Sequence, residues 1–510
     1  MNQQNLIKLL NQALILYSKG KLDDADKIYL SVLKIDNNNF QANLLHGSIL
    51  SQKSSFKEAI VFLKKAEKSN SDSYEVNNNL GITYKNLKDF DNAEKYFIKA
   101  ISIDSKNYKA HFNCANVYID QKKHDLAKSF LENTIVCNNS FVEAYQRYSD
   151  VLHLQFFESK DFNFLIESKK YLAESIKIDP SYSDSFIALA LTHLWLGEVE
   201  ESANLFNKAL TINSSSNSVR KIENKLWKTL IKHEYEQLTF IDNDIDSIRN
   251  PKFTKEYYQE LKNLYLKIKN NSFNIEDMTS SMKIEISKIL YNKPPKTSSS
   301  NYINEKNDIE SLESEYLGKN PEILVIDNFL TPEALLELQK FYRNANIFKY
   351  PYHNGYVGAF LGKGLSNKFI LKLTEDLRKT YKNIFTNLQL TQAWAFKYDS
   401  KNKGINVHAD DASINVNFWI TSDQANLNKK TGGLKIWNKL PPKEWSFEEF
   451  NYNSPKIIKM LEAEKITHET IKYKENRAII FNSKLFHATD DYNFKDNYED
   501  RRINMTFLYD

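Results

Sequence analysis

The chain has 510 residues but only two cysteines, Cys114 and Cys137. Two thiols build neither a disulfide framework nor a cysteine zinc cluster, so a reducing, cytoplasmic setting is expected. Glycine (12) and proline (10) are also scarce, which excludes collagen-like and Gly/Pro-rich low-complexity architectures. Neither sign of charge dominates: 69 Lys and Arg face 65 Asp and Glu, a net of +4. So close a balance argues against nucleic acid or an anionic membrane as the main partner. Long apolar runs are missing too. The opening MNQQNLIKLLNQALILYSKGKLDD is polar and then amphipathic, with no basic flank and no small-residue cleavage site. Neither a signal peptide nor a membrane span is expected there. What is present, 41% hydrophobic and 26% charged side chains, describes a globular chain too long for one core, hence two or three domains.

The first half repeats itself. Ala25, Ala59, Ala93 and Ala127 recur every 34 residues, and twelve positions before them stand Ala13, Gly47, Gly81 and Ala115. The clearest copy reads Asn77, Leu80, Gly81, Tyr84, Ala93, Phe97, Ala100, then Ile101 to Asp104. Small residues at the two spaced positions let a pair of helices approach closely, and Tyr84 and Phe97 fill the groove beside them. Two less regular copies follow. One has Ser149 at the small position, seven extra residues around Gln155–Asn163 and an Asp179-Pro180 exit; the other has Ala190, Ser202, Phe206 and Ala209. Six copies result, and Leu226, Trp227 and Leu230 suit a terminal capping helix.

This pattern resembles the tetratricopeptide repeat over about residues 5–216. The resemblance implies an all-α solenoid, 5–236 with its cap, whose concave groove takes a protein or peptide; the alternative is a spacer or dimerisation element. His46, His111, His124, His153 and His193 share no metal spacing and read as packing or surface residues. The oligomeric state has no signature.

Residues 237–320 read as a helical connector and linker. Tyr257, Leu261, Leu264 and Ile268 keep helical spacing, and Pro294-Pro295 to Ser300 with the charged run to Asn320 reads as linker. A further domain, 321–510, is expected to be α+β, a barrel or double-sheet sandwich. Strands are predicted at Ile323–Phe329, Leu390–Tyr398, Ile405–His408, Ile414–Thr421, Gly433–Trp437, Arg477–Asn482 and Arg502–Tyr509. Helices are predicted after the Thr331-Pro332-Glu333 start and over Ser366–Tyr381. In two strands one face is polar: Asn415, Asn417, Trp419 and Thr421 in the first, Arg502, Asn504 and Thr506 in the second. Such a face meets solvent or lines a polar pocket.

Chemistry gathers beside these strands. His408-Ala409-Asp410 closes one predicted strand, where residues two apart point the same way. His487 follows an apolar strand, and Arg502 opens the last one. Two histidines and one carboxylate with open positions make the facial triad of non-haem Fe(II) oxygenases, and an arginine beyond it suits a dicarboxylate. In this order of HxD, distal His and final-strand Arg, residues 323–510 resemble the Fe(II)- and 2-oxoglutarate-dependent dioxygenases of the prolyl-hydroxylase-like group.

The resemblance implies a double-stranded β-helix (jelly-roll, cupin-like) and a hydroxylase. It implies Fe(II) on His408, Asp410 and His487, with 2-oxoglutarate and O2 as cosubstrates, and it admits ascorbate as a reductant. The carboxylate Asp410 argues for hydroxylation, since related halogenases lack it. For 2-oxoglutarate it implies Arg502, with Tyr398, Thr506, Asn417 and Trp419 around it. Thr431-Gly432-Gly433-Leu434 resembles the turn into the next core strand. The sequence departs from the family in a longer His487-to-Arg502 gap, which leaves Arg501 as a competitor. An insertion from Asn438 to Tyr473, with Trp445, Phe447 and Phe450, reads either as a lid or as surface decoration. His353 and His468 are expected in loops or at the surface. The expected substrate is a protein or peptide recruited by the repeats; the alternatives are a small-molecule oxygenase and a scaffold with an inactive barrel.

Overall fold

The structure, a computed structural model, describes residues 3–215, 221–242, 255–289, 292–296, 301–402 and 404–510. It divides into two compact units, residues 1–180 and 181–510.

The first unit is a row of helix pairs, from Gln3–Ser18 with Leu22–Ile35 to Val142–Ser159 with Asn163–Ile178. The 34-residue register controls their ends. Asn39, Ser73 and Asn107 each cap a first helix, their side chains accepting from Ala42 N, Val76 N and Lys109 N. The turns inside four successive pairs carry positive φ at Gly20, Ser54, Lys88 and Lys122, a conformation that only the glycine adopts without cost. Ser149 keeps its buried small position by a 2.6 Å hydrogen bond with Ser168. The extra residues of that repeat lengthen its helices to 18 and 16 residues, against 13 and 14 in the clearest copy.

Close approach is visible at Gly81, where a Cβ would lie 2.6 Å from the Phe97 ring. Gly81→Val is therefore expected to destabilise the full chain by about 1–3 kcal/mol through overpacking. Urea unfolding checks it; an unchanged midpoint would mean the Phe97 ring gives way freely.

The second unit opens with the sixth pair, Ser183–Trp195 and Val199–Ser215. Trp195 Nε1 donates to Leu390 O at 2.7 Å, and Val199–Ser215 packs on the helix Lys368–Thr380, which ties this repeat to the sheet region. The helix Trp227–Asp242 sets Trp227, Leu230 and Ile231 in a core with Leu261, Leu264, Met282 and Ile286. From it Glu234 pairs with Lys349 at 2.6 Å, both almost wholly buried. Of the stretch read as linker, 297–300 lie outside the described residues, as do 243–254 and 290–291 of the connector. The charged run contains a helix, Ile309–Gly318, capped by Asp308. Its Glu313 accepts from the Asn383 backbone and side chain at 2.7 and 2.6 Å.

The strands are β1 Ile323–Ile326, β2 Tyr350–Tyr352, β3 Tyr356–Phe360, β4 Leu390–Tyr398, β5 Lys401–Asn402, β6 Ile414–Trp419, β7 Leu434–Trp437, β8 His468–Ile471, β9 Ala478–Asn482, β10 His487–Thr489, β11 Tyr492–Asn493 and β12 Ile503–Tyr509. They form a seven-stranded sheet, β1-β9-β6-β12-β4-β3-β2, a three-stranded sheet, β10-β7-β8, and the pair β11-β5. All pairings are antiparallel. The two larger sheets share one core, with Tyr398, Trp419 and Phe481 meeting Leu434, Ile436 and Ile471.

The predicted strand Ile405–His408 does not form. Only His408 bridges, to His487, because the backbone bends at Ile405 and Val407 instead of running extended. The other face of the large sheet is covered: Phe418 packs on Phe329, and Tyr342 reaches Met505. The polar face of β6 is thereby directed between the sheets, with Asn415, Asn417 and Trp419 all buried.

Candidate metal centre

His408 and His487 face one another across a single antiparallel bridge, exchanging backbone hydrogen bonds of 3.0 and 2.8 Å. Each ring turns Nδ1 toward a backbone carbonyl, Asn406 O at 2.8 Å and Leu485 O at 2.9 Å. A carbonyl only accepts, so Nδ1 carries the proton and the Nε2 lone pair is left for a metal. Both Nε2 atoms point at Asp410, 3.7 Å from Oδ1 for His408 and 3.5 Å from Oδ2 for His487. One ligand atom from each of the three residues falls within 4.8 Å of the others, the one such group among the described residues.

Burial, with the neighbouring His487, pushes the His408 pKa down to about 4, so the ring is a neutral ligand near pH 7. Burial alone would raise the Asp410 carboxyl; its contacts with His487, His408 and Asn415 outweigh it and hold it below its usual range. Asn415 Nδ2 donates to Asp410 Oδ2 at 3.1 Å. Two imidazoles and a carboxylate suit a divalent first-row metal with open positions.

Behind the triad lies Arg502, 1% exposed. Its Nε donates to Gly432 O at 2.9 Å and its Nη1 to Asn504 Oδ1 at 3.3 Å, and no carboxylate among the described residues pairs with it. Aromatic rings enclose the guanidinium, with Tyr398 at 4.7 Å and Trp419 and Tyr492 at 5.9 Å. A small inner cavity, lined in part by His408, Asp410, His487, Asn417, Arg502 and Thr506, joins the arginine to the triad. Tyr398 and Trp419 sit against the guanidinium rather than on that lining. Asn417 donates to Thr506 Oγ1 at 3.0 Å, while Asn417 Oδ1 and Trp419 Nε1 are buried without a hydrogen-bond partner. Arg501 is placed differently: it pairs with Glu236, Asp399 and Asp496, each at 3.0 Å.

The insertion reaches the site. Its helices, Phe447–Asn451 and Ser454–Ala463, pack Phe450, Ile457 and Leu461 on Val407, Ala409 and Phe486. Asn451 Nδ2 donates to Ala409 O at 2.8 Å and lies 3.4 Å from Asp410 Oδ1. The spacing of the sequence carried no sign of this residue, which lies in a helix and 41 positions beyond Asp410. Phe447, Asn451 and Tyr452 also wall an outer cavity of about 580 Å³ that meets the inner one at Trp394, Ile405, His408 and Asp410. His353 lies on the rim of that cavity, and His468 is exposed on β8.

No helix among the described residues is long and apolar enough to cross a membrane. The tetratricopeptide repeat family matches residues 74–107, the copy with Asn77, Gly81 and Phe97. Among solved structures the chain is similar to PilW, a widely conserved type IV pilus biogenesis factor, at 19% identity over 42% of this chain and 96% of that one, with a TM-score of 0.38. It is similar to pilF of Pseudomonas aeruginosa at 16% identity, over 42% and 94%, with a TM-score of 0.36. YrrB, a TPR protein with an unusual peptide-binding site, is 18% identical over 37% and 93%, with a TM-score of 0.30. No curated protein matches the chain. Register, helix pairing and family match agree that the N-terminal region is an all-helical tetratricopeptide repeat array, and an antiparallel, sheet-rich region follows it.

Proposed function

We propose that the sheet region is an Fe(II)- and 2-oxoglutarate-dependent oxygenase on a jelly-roll, double-stranded β-helix core, hydroxylating a protein or peptide that the repeat array recruits. The observation that carries this reading is Arg502. A buried guanidinium without a carboxylate is costly, and it stands at the inner end of a cavity whose other end holds two imidazoles and a carboxylate. An anionic ligand that also reaches a metal satisfies both ends at once. The buried, unpartnered Asn417 Oδ1 and Trp419 Nε1 fit the same polar ligand.

Fe(II) on His408, Asp410 and His487 would supply the redox chemistry that activates O2. The balance is R–H + O2 + 2-oxoglutarate → R–OH + succinate + CO2, one oxygen atom entering the substrate C–H bond and the other the new carboxylate of succinate. The protein's own groups do the positioning. Arg502 pairs with the far carboxylate, supported by Thr506, and the rings of Tyr398 and Trp419 exclude water and fix the guanidinium plane. Asn415 and Asn451 orient Asp410. The inner cavity measures about 20 Å³, so admitting a dicarboxylate requires its lining side chains to move apart. A small-molecule substrate is the second reading, favoured by an outer cavity of about 580 Å³, within the range of small-ligand sites.

Anaerobic addition of Fe(II) and 2-oxoglutarate to the purified chain is expected to give a visible metal-to-ligand charge-transfer band, lost in His408→Ala. A folded wild-type protein without the band overturns the oxygenase reading. A cellular protein that gains one oxygen atom only when the triad is intact decides for a protein substrate over a small molecule.

A further inference from the structure

The outer cavity has a chemical bias of its own. Its walls include Tyr352, Tyr356, Phe360, Trp394, Phe396 and Tyr452. Several of these rings are fixed against one another: Tyr352 stacks on Tyr356 at 4.6 Å, and Phe396 meets Tyr356 edge-on at 5.1 Å. Among the described residues that line it there is no lysine or arginine, whereas Asp410 and Asp411 both do. Asp410 belongs to the triad; Asp411 does not. The Asp411 carboxylate is 64% exposed and has a loose neighbour in Lys484, 3.9 Å away and itself exposed. On the rim His353 stands 3.6 Å from Glu223, which adds a second acid.

Aromatic faces carry negative potential and attract cations. A box of such faces with acids, and with no lysine or arginine among its described lining residues, repels an anion and gains less from a neutral chain than from a cation. The aliphatic stem of a basic residue packs on the same rings that hold its charge. We propose that the outer cavity receives a basic side chain, lysine or arginine, of a peptide substrate, and brings its methylene groups beside His408 and Asp410. This rests on the oxygenase reading, and the bond attacked is then a C–H of the aliphatic stem.

The test uses the full chain with Fe(II) and 2-oxoglutarate under argon, titrated calorimetrically with short glycine-serine peptides whose central residue is Lys, Arg, Leu or Glu. The Lys and Arg peptides are expected to bind about tenfold more tightly than the Leu peptide, and the Glu peptide more weakly still. Asp411→Lys and Tyr452→Ser alter exposed positions that leave the fold intact. The first should abolish the preference for Lys over Glu, and the second should reduce it. The charge-transfer band should persist in both. Equal binding of all four peptides, or a preference that survives Asp411→Lys, overturns the inference even where the band forms. Loss of the band with the cation preference intact overturns the oxygenase reading and leaves the cavity's selectivity standing. Nα-acetyl-lysine amide binding as tightly as the Lys peptide would overturn the peptide part of the proposal.

Discussion

His487→Ala is expected to abolish turnover and the charge-transfer band while the protein stays folded. The ring is aimed by its own backbone: Leu485 O holds the Nδ1 proton, and Nε2 is left facing Asp410 Oδ2. Removing it leaves one imidazole and one carboxylate, too few ligands to hold a divalent ion against water. Even partners that only orient metal ligands are worth about 10–100-fold in metal affinity, so loss of a ligand should exceed that. The backbone exchange between residues 408 and 487 does not depend on the side chain, and the strand pairing of β10 with β7 should survive. Bound iron measured after desalting, together with circular dichroism, separates loss of the metal from loss of fold. A folded His487→Ala protein with wild-type iron content and activity would sink the assignment.

Why was this triad legible when much around it was not? Its two histidines are among only four in residues 321–510, and both lie on backbone that pairs, so their spacing survives folding. The same holds for the repeats: Ala25, Ala59, Ala93 and Ala127 are all fully buried, and a period kept over four copies leaves little freedom. On β6 the alternation of apolar Ile414, Val416 and Phe418 with polar Asn415 and Asn417 marked two faces. Burial showed which of the two alternatives held, a fact that depends on the sheet opposite and not on β6 itself.

Other elements left no such trace. β2 has three residues, one of them Pro351, which sits on a sheet edge where a missing N–H is tolerated. β8 opens with His468, Glu469 and Thr470 exposed, so it has no apolar alternation to read. The insertion's aromatic residues allowed either a lid or decoration. Asn451 and Tyr452 join it to the outer cavity and Phe450 to the packing behind the triad, contacts made across distant sequence. The competition between Arg501 and Arg502 could be argued only from parity with Thr506, whereas the structure separates them by partners: three carboxylates for one, none among the described residues for the other.

That separation yields a paired experiment. Arg502→Met should remove the response to 2-oxoglutarate at almost no cost to the ligand-free protein. Methionine gives up two modest hydrogen bonds, to Gly432 O and Asn504, but also removes a buried charge that no carboxylate among the described residues offsets, so unliganded stability should change by only about 1 kcal/mol. Truncating one partner of a buried, hydrogen-bonded charge pair costs about 2–5 kcal/mol, which here means a loss of 2-oxoglutarate affinity of about a hundredfold. Arg501→Met should behave in the opposite way. It leaves Glu236 and Asp399 with Lys232 as their remaining cation, and burial already raises the Glu236 pKa; the cost stays below the about 3–5 kcal/mol of a fully buried pair. Its 2-oxoglutarate affinity should remain that of the wild type. With the metal present and 2-oxoglutarate at about a hundred times Kd, the wild type should gain about 2.7 kcal/mol of stability, read as a rise in Tm. Arg501→Met should show the same gain from a lower starting Tm, and Arg502→Met should keep only about 0.4 kcal/mol of it. If the rise persists in Arg502→Met and disappears in Arg501→Met, the ligand's far carboxylate is held by the other arginine and the buried guanidinium of Arg502 serves the core alone.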